Sequence, residues 1–193
     1  MQDSTNWTPS IEDNLLNLTD KDAINEQEAK WIALAELYVL GLDTDATIST
    51  SLILEIHKIA FGHLYDWAGK WRTTNILVGQ LEPPQPPQVI QLMYQFADNL
   101  NFKITVAETR EEHLDGLLYA HYEFIRIHPF NNGNGRTGRI LMNLVAMKFG
   151  YKPLVLYYRG GESRKIYIDA MKAVDKGDID ALRNLISVEL TSF

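Results

Sequence analysis

This chain of 193 residues predicts a mainly α-helical bundle with one short β-hairpin. Three observations carry that expectation. Apolar residues recur at helical spacing in one segment after another. Only residues 73–78 are rich in β-favouring side chains, and Gly79 bounds them as a turn residue. Four of the seven prolines fall in a single connector, EPPQPPQ, which suits neither a helix interior nor a central strand.

Residues 1–24 read as a polar lead-in. Residues 25–42 read as a helix with Ala29, Ile32, Ala33, Leu37 and Leu40 as its apolar stripe and Gly41 near its end. Glu26, Glu28 and Lys30 on that helix read as a solvated face. Residues 49–61 form a second helix, with Leu52, Ile53, Ile56, Ile59 and Ala60 on one side. After the expected hairpin and the proline connector, a helix is expected over 89–102. Thr109 opens the next, with Glu111 and Glu112 in its first turn, where carboxylates favour the helix dipole. Its core face holds Leu114, Leu117, Leu118, His121 and Ile125, and it ends near His128-Pro129, because proline disfavours helix at the residue before it. Helices over 136–149, 162–174 and 178–190 complete the chain. The expected organisation is an N-terminal extension over residues 1–48, with one helix packed on the core, followed by a core domain over 49–193.

Composition narrows the function classes. There is no cysteine, which rules out disulfides and thiolate chemistry and agrees with a reducing, cytoplasmic setting. The polar, acidic start carries no secretory signal pattern. No apolar run approaches the roughly 18 residues of a membrane span. A formal charge of -7 argues against a general nucleic-acid surface.

The chemistry concentrates in residues 124–140, FIRIHPFNNGNGRTGRI. This stretch joins two helical segments, so its glycines fall at the start of the second. Unpaired backbone N–H groups there, together with the helix dipole, make an anion site. Arg136 and Arg139 are three apart and share the first turn, and two guanidiniums suit a polyphosphate. Asn134 adds an amide, and His128 is a candidate general base. GNGRTG also matches the dinucleotide fingerprint, but that pattern needs a preceding strand, and here the preceding residues have helical periodicity.

His128 to Arg139 resembles the Fic motif, H-P-F-x-[D/E]-G-N-G-R-x-x-R, at eleven positions with one departure. LYDWAGKWRT (64–73) is similar to the segment before the family's flap, and residues 165–182 are similar to its later helix. The resemblance implies a Fido-type helical bundle with a β-hairpin flap. It implies a protein adenylyltransferase, moving AMP from ATP to a Ser, Thr or Tyr hydroxyl of a target protein and releasing pyrophosphate, with Mg²⁺ or Mn²⁺ beside ATP. Carried over by position, His128 is the base and Phe130 anchors the loop. Gly133, Asn134 and Gly135 hold phosphate, and Arg136 and Arg139 bind the β- and γ-phosphates. Thr74, Asn75, Ile76 and Leu77 form the flap that docks the target by strand addition.

Asn132 stands at the metal-ligand position where the family has Asp or Glu. An amide oxygen can ligate a hard cation but brings no charge, so weaker metal binding and slower transfer are expected. The alternatives are a nucleotide-binding regulatory module with weak or lost transfer, or a transferase using another phosphate-linked donor. The family's inhibitory pattern, [S/T]-x-x-x-E-[G/N], is matched by Ser51 to Glu55 but broken by Ile56, so any inhibitor is expected as a separate antitoxin-like partner. The expected partners otherwise are a target protein and, compatibly, an oligomer, with neither nucleic acid nor membrane. His113 and His121 lie eight apart with no zinc signature. His57 and His63 read as packing or surface groups, Trp67 and Trp71 as core aromatics, and Tyr167 as either structural or near the adenine.

Overall fold

The computed structural model describes residues 14–43, 45–78, 82–156 and 161–193. Seven helices account for most of them: α1 (Lys21–Leu40), α2 (Thr50–Phe61), α3 (Pro86–Val106), α4 (Arg110–Ile127), α5 (Asn134–Lys148), α6 (Gly161–Val174) and α7 (Asp180–Glu189). The central pair is α4 and α5, joined by residues 128–133. On α4 pack α3 and α7, and against α5 lie α1 and α2. The β content among the described residues is isolated, as in the antiparallel bridge between Tyr151 and Ser192 that ties the end of the chain to the region after α5.

The helix starts follow from capping chemistry. Asp20 accepts from Ala23 N at 2.8 Å, so α1 begins four residues earlier than expected. Ser49 caps α2 through Leu52 N. Thr109 and Glu112 cap α4 reciprocally, and the backbone bonds from Glu108 and Thr109 hold the Glu112 carboxyl below its usual range. The prolines were expected in a connector, but Pro86 and Pro87 are the first two residues of α3. Proline suits that place, because its missing N–H belongs to a position with no intrahelical partner anyway.

Two further expectations change. The buried face of α1 is Ile24, Glu28, Ala35 and Val39, not the stripe containing Leu37 and Leu40, which are 62% and 53% exposed. Glu28 does not belong to a solvated face: it is fully buried. Residues 73–77 form no strand among the described residues, and residues 79–81, where the hairpin turn was expected, lie outside them.

The core fills the space between α2, α4 and α5, with Ile53, Ile56, Phe61, Leu117, Phe124, Leu141 and Val145 fully buried. It runs up to the α4–α5 junction through Phe130, also fully buried. The loop that carries the chemistry is thus seated on close-packed side chains.

Candidate active site

The site is built at the point where α4 stops. His128 caps the helix in the left-handed conformation, with φ +50° and ψ +61°. Only one other non-glycine residue, Asn17, has positive φ among the described residues. The ring Nδ1 lies 3.2 Å from Ile125 O, and a carbonyl can only accept, so Nδ1 carries the proton and Nε2 is left as a lone-pair nitrogen. Burial pushes the imidazole down to about 4, with the nearby Arg72 charge acting in the same direction. His128 is therefore neutral, and able to accept a proton, across the physiological range.

Phe130 pins the loop. His57 stacks on it at 3.6 Å between centroids and Trp71 at 5.1 Å. Its backbone N–H donates to Asn134 Oδ1 at 2.9 Å, and Asn134 Nδ2 returns a bond to its carbonyl at 2.8 Å. The Asn134 side chain, 2% exposed, is thus a loop brace, and what it offers an anion is its backbone N–H.

The first turn of α5 starts from Gly133, with φ +77°. A Cβ there would come within 2.6 Å of the Phe61 ring, so both the backbone angle and the close approach demand glycine. Thr137 closes the turn from the other side, its N and Oγ1 both donating to Gly133 O, at 2.9 and 3.0 Å.

The two arginines face different ways. Arg136 is 3% exposed and points inward, its Nη1 donating to Glu28 Oε2 at 2.7 Å and its guanidinium 4.4 Å over the Phe61 ring. Tyr65 donates to the other Glu28 oxygen at 3.0 Å. Arg139 is half-buried and folds back toward the start of α5: its Nη1 lies 3.7 Å from where a Gly135 Cβ would stand. Arg139 and the backbone at Gly135 therefore converge on one patch at the start of α5, six residues beyond His128 in the chain.

Asn132 turns its Oδ1 to the Gly133 N–H at 2.7 Å, while its carbonyl accepts from His57 Nε2 at 3.0 Å. His57 in turn accepts the Gly69 N–H at Nδ1, 2.9 Å away. Burial holds this ring neutral, with its value pushed down to about 3. His57 thus links the turn before the flap to the motif loop.

The flap candidates lie along the outer side of this loop. Thr74 donates to Asn131 Oδ1 at 3.3 Å, and Leu77 is 68% exposed. A groove of about 660 Å³ runs beside them, bounded by Trp71, Thr73, Asn75, Pro86 and Ile90. Tyr167 is buried, with its hydroxyl 2.8 Å from His121 Nε2. His113 stacks on Phe149, and no group of three or more potential metal ligands occurs among the described residues.

Three residues of this assembly were not read from the sequence as part of it: His57, Arg72 and Glu28. The nearest signal was the aromatic cluster around Gly69, which places Trp71-Arg72 next to the flap.

A helical fold that carries a neutral histidine on the loop before a glycine-started helix defines a class, and comparison with known proteins gives it a family. The Fic/DOC family profile matches residues 47–146. The chain belongs to the Fic/DOC family. It is 35% identical over 133 residues to the protein adenylyltransferase fic-1 of Caenorhabditis briggsae, a match covering 68% of this chain and 25% of that protein. It is 32% identical over 174 residues to the protein adenylyltransferase Fic of Drosophila willistoni, covering 89% and 34%. The chain thus spans about a quarter to a third of the length of these relatives. Among solved structures, BepC from Bartonella tribocorum with bound AMPPNP superposes with a TM-score of 0.76 at 16% identity, covering 93% of this chain and 92% of that one. Fic-1 from C. elegans gives 0.72 at 27% identity, covering 84% and 48%. The fold is the helical Fido fold. No described helix is long and apolar enough to cross a membrane.

Proposed function

We propose that the chain transfers AMP from ATP to a Ser, Thr or Tyr hydroxyl of a protein. The observation that supports this best is His128, its Nε2 unprotonated, on the loop that leads directly into the start of α5, where Arg139 Nη1 comes close to Gly135. His128 accepts the hydroxyl proton as the hydroxyl oxygen forms its bond to the α-phosphorus. The bond from that phosphorus to the bridging oxygen breaks, and its electron pair leaves with pyrophosphate. Charge on the leaving phosphates is met by Arg139 and by the N–H groups of Asn134 and Gly135, so positioning and neutralisation do most of the work. Arg136, held by Glu28, supports the helix start from beneath.

The target docks along residues 74–77 by strand addition, with the adjoining groove taking side chains that flank the modified residue. The names of the relatives, protein adenylyltransferases, support the same reading. The residues present do not fit a protein-held Mg²⁺ or Mn²⁺ ion: Asn132 is uncharged and its amide oxygen faces Gly133 N–H. A divalent cation accompanying ATP would depend on the nucleotide's phosphates for its charge compensation. The lack of cysteine fits a cytoplasmic setting.

The test is transfer of label from ATP labelled at the α-phosphate, to the chain itself and to lysate proteins. Labelling by wild type that disappears in His128→Ala, with ATP binding retained, is the expected result. Undiminished labelling by His128→Ala would reject the assigned base. ATP binding without any transfer by wild type would favour a regulatory module.

A further inference from the structure

The residue that connects the flap to the base is Arg72. It is 2% exposed. Among the described residues its acceptors are all main-chain carbonyls. Nε donates to His128 O at 2.8 Å, Nη1 to Thr74 O at 3.0 Å, and Nη2 to Pro84 O and, at 3.4 Å, to Ile127 O. Its own backbone N–H donates to Pro129 O at 2.9 Å.

Three of these carbonyls, on residues 127 to 129, are consecutive: those of Ile127 and His128 close α4 and its cap, and that of Pro129 follows. A helix leaves its last carbonyls without intrahelical partners, and a cation there is favoured by the dipole. Capping α4 needs only the bonds to Ile127 and His128. The bonds to Thr74 and Pro84 do something else: they hold the first flap residue and the residue just ahead of the α3 N-cap on the same guanidinium. A planar fork with donors at fixed angles can serve carbonyls from three segments at once, which a lysine point charge cannot.

Resting on the transfer reading above, we propose that Arg72 is the positioning residue that fixes the flap relative to His128, and so sets where a docked hydroxyl meets Nε2. Its bond to His128 O holds the left-handed turn that aims the ring, and its bonds to Thr74 and Pro84 hold the flap at matching distance. His128, Thr74 and Pro84 are thus tied to one guanidinium, and the nucleotide patch on α5 is not among its partners in the described residues. Loss of Arg72 therefore impairs the chemical step and target docking while leaving ATP binding intact.

The test uses Arg72→Lys and Arg72→Gln with three readouts. In label transfer, kcat is expected to fall about 100-fold, the scale of an ångström-level misplacement, with KM for ATP unchanged. In nitrogen NMR of the histidine rings, the single Nδ1–H tautomer of His128 is expected to give way to a mixture. Cooperative melting by circular dichroism identifies which variants are folded. A folded variant that keeps wild-type kcat and the single tautomer overturns the proposal, as does a rise in KM for ATP alone. The tautomer needs no turnover, so it decides the case for Arg72 even if wild type proves inactive and the transfer reading fails. Should neither variant fold, wild type itself decides: through-bond couplings from the Arg72 guanidinium to the His128 and Thr74 carbonyl carbons support the proposal, and their absence with a rapidly exchanging guanidinium overturns it.

Discussion

Asn132 and Glu28 show how differently a single side chain can bear on the site. The Asn132 amide supports its own loop through Gly133 N–H, a contact that one oxygen of an aspartate would also make. The second oxygen would add the missing charge, so Asn132→Asp is expected to tighten the Mg²⁺ requirement of transfer on the order of tenfold, read from a metal titration of label transfer. Glu28 is structural: its carboxylate compensates a guanidinium that is itself 3% exposed. Removing one member of a buried pair leaves the other uncompensated, so Glu28→Gln is expected to lower stability by about 3–5 kcal/mol, read from urea unfolding. Glu28 was not legible in the sequence because a carboxylate inside a buried stripe breaks the apolar pattern by which stripes are recognised. His57 and Arg72 were hidden for another reason. Their hydrogen-bond partners are backbone groups, which leave no mark in residue type or spacing.

At the scale of elements, the junction of α4 and α5 was the most legible part of the chain. Proline after His128 and the glycine run mark a stop and a start: α4 ends at Ile127 as expected, and α5 begins at Asn134, two residues before the expected 136, because Gly133 rather than Gly135 makes the turn. The start depends on one backbone angle. Gly133→Ala would place a side chain at φ +77° against Phe61, and a loss of about 1–2 kcal/mol from the backbone alone is expected, with steric displacement of the α5 start adding to it. A fall in melting temperature together with weaker ATP binding would be the signature, and retention of both would show that the turn can relax. The start of α3 was less legible: proline reads as a helix breaker, yet Pro86 and Pro87 begin the helix, where the missing N–H groups cost nothing. The flap was the least legible. Its β-favouring composition suggested cross-strand pairing, while the carbonyls of Thr74 and Pro84 bond instead to Arg72.

For the molecule as a whole, acid is the predicted weakness. Burial lowers His57 to about 3 and His121 and His128 to about 4, against an ordinary value of 6.5. Below pH 6.5 the unfolded chain takes up protons at these positions that the folded chain refuses, so stability falls with pH through the window from about 6.5 to 4 and, for His57, to about 3. Both His57 and His121 are fully buried, and each contributes on the order of a few kcal/mol to that loss. Urea midpoints that decline steadily over this range are expected, and His121→Asn should flatten the slope. A midpoint independent of pH would mean that these rings accept protons without unfolding. The Glu28–Arg136 pair has a consequence of another kind, in time. Its members are 108 residues apart, and α1 is synthesised first. At about 5–20 residues per second, a ribosome leaves Glu28 without its counter-charge for roughly 5–20 s. Until α5 emerges, α1 is a helix with a carboxylate on its core face, so the nascent chain is expected to keep it undocked and open to chaperones.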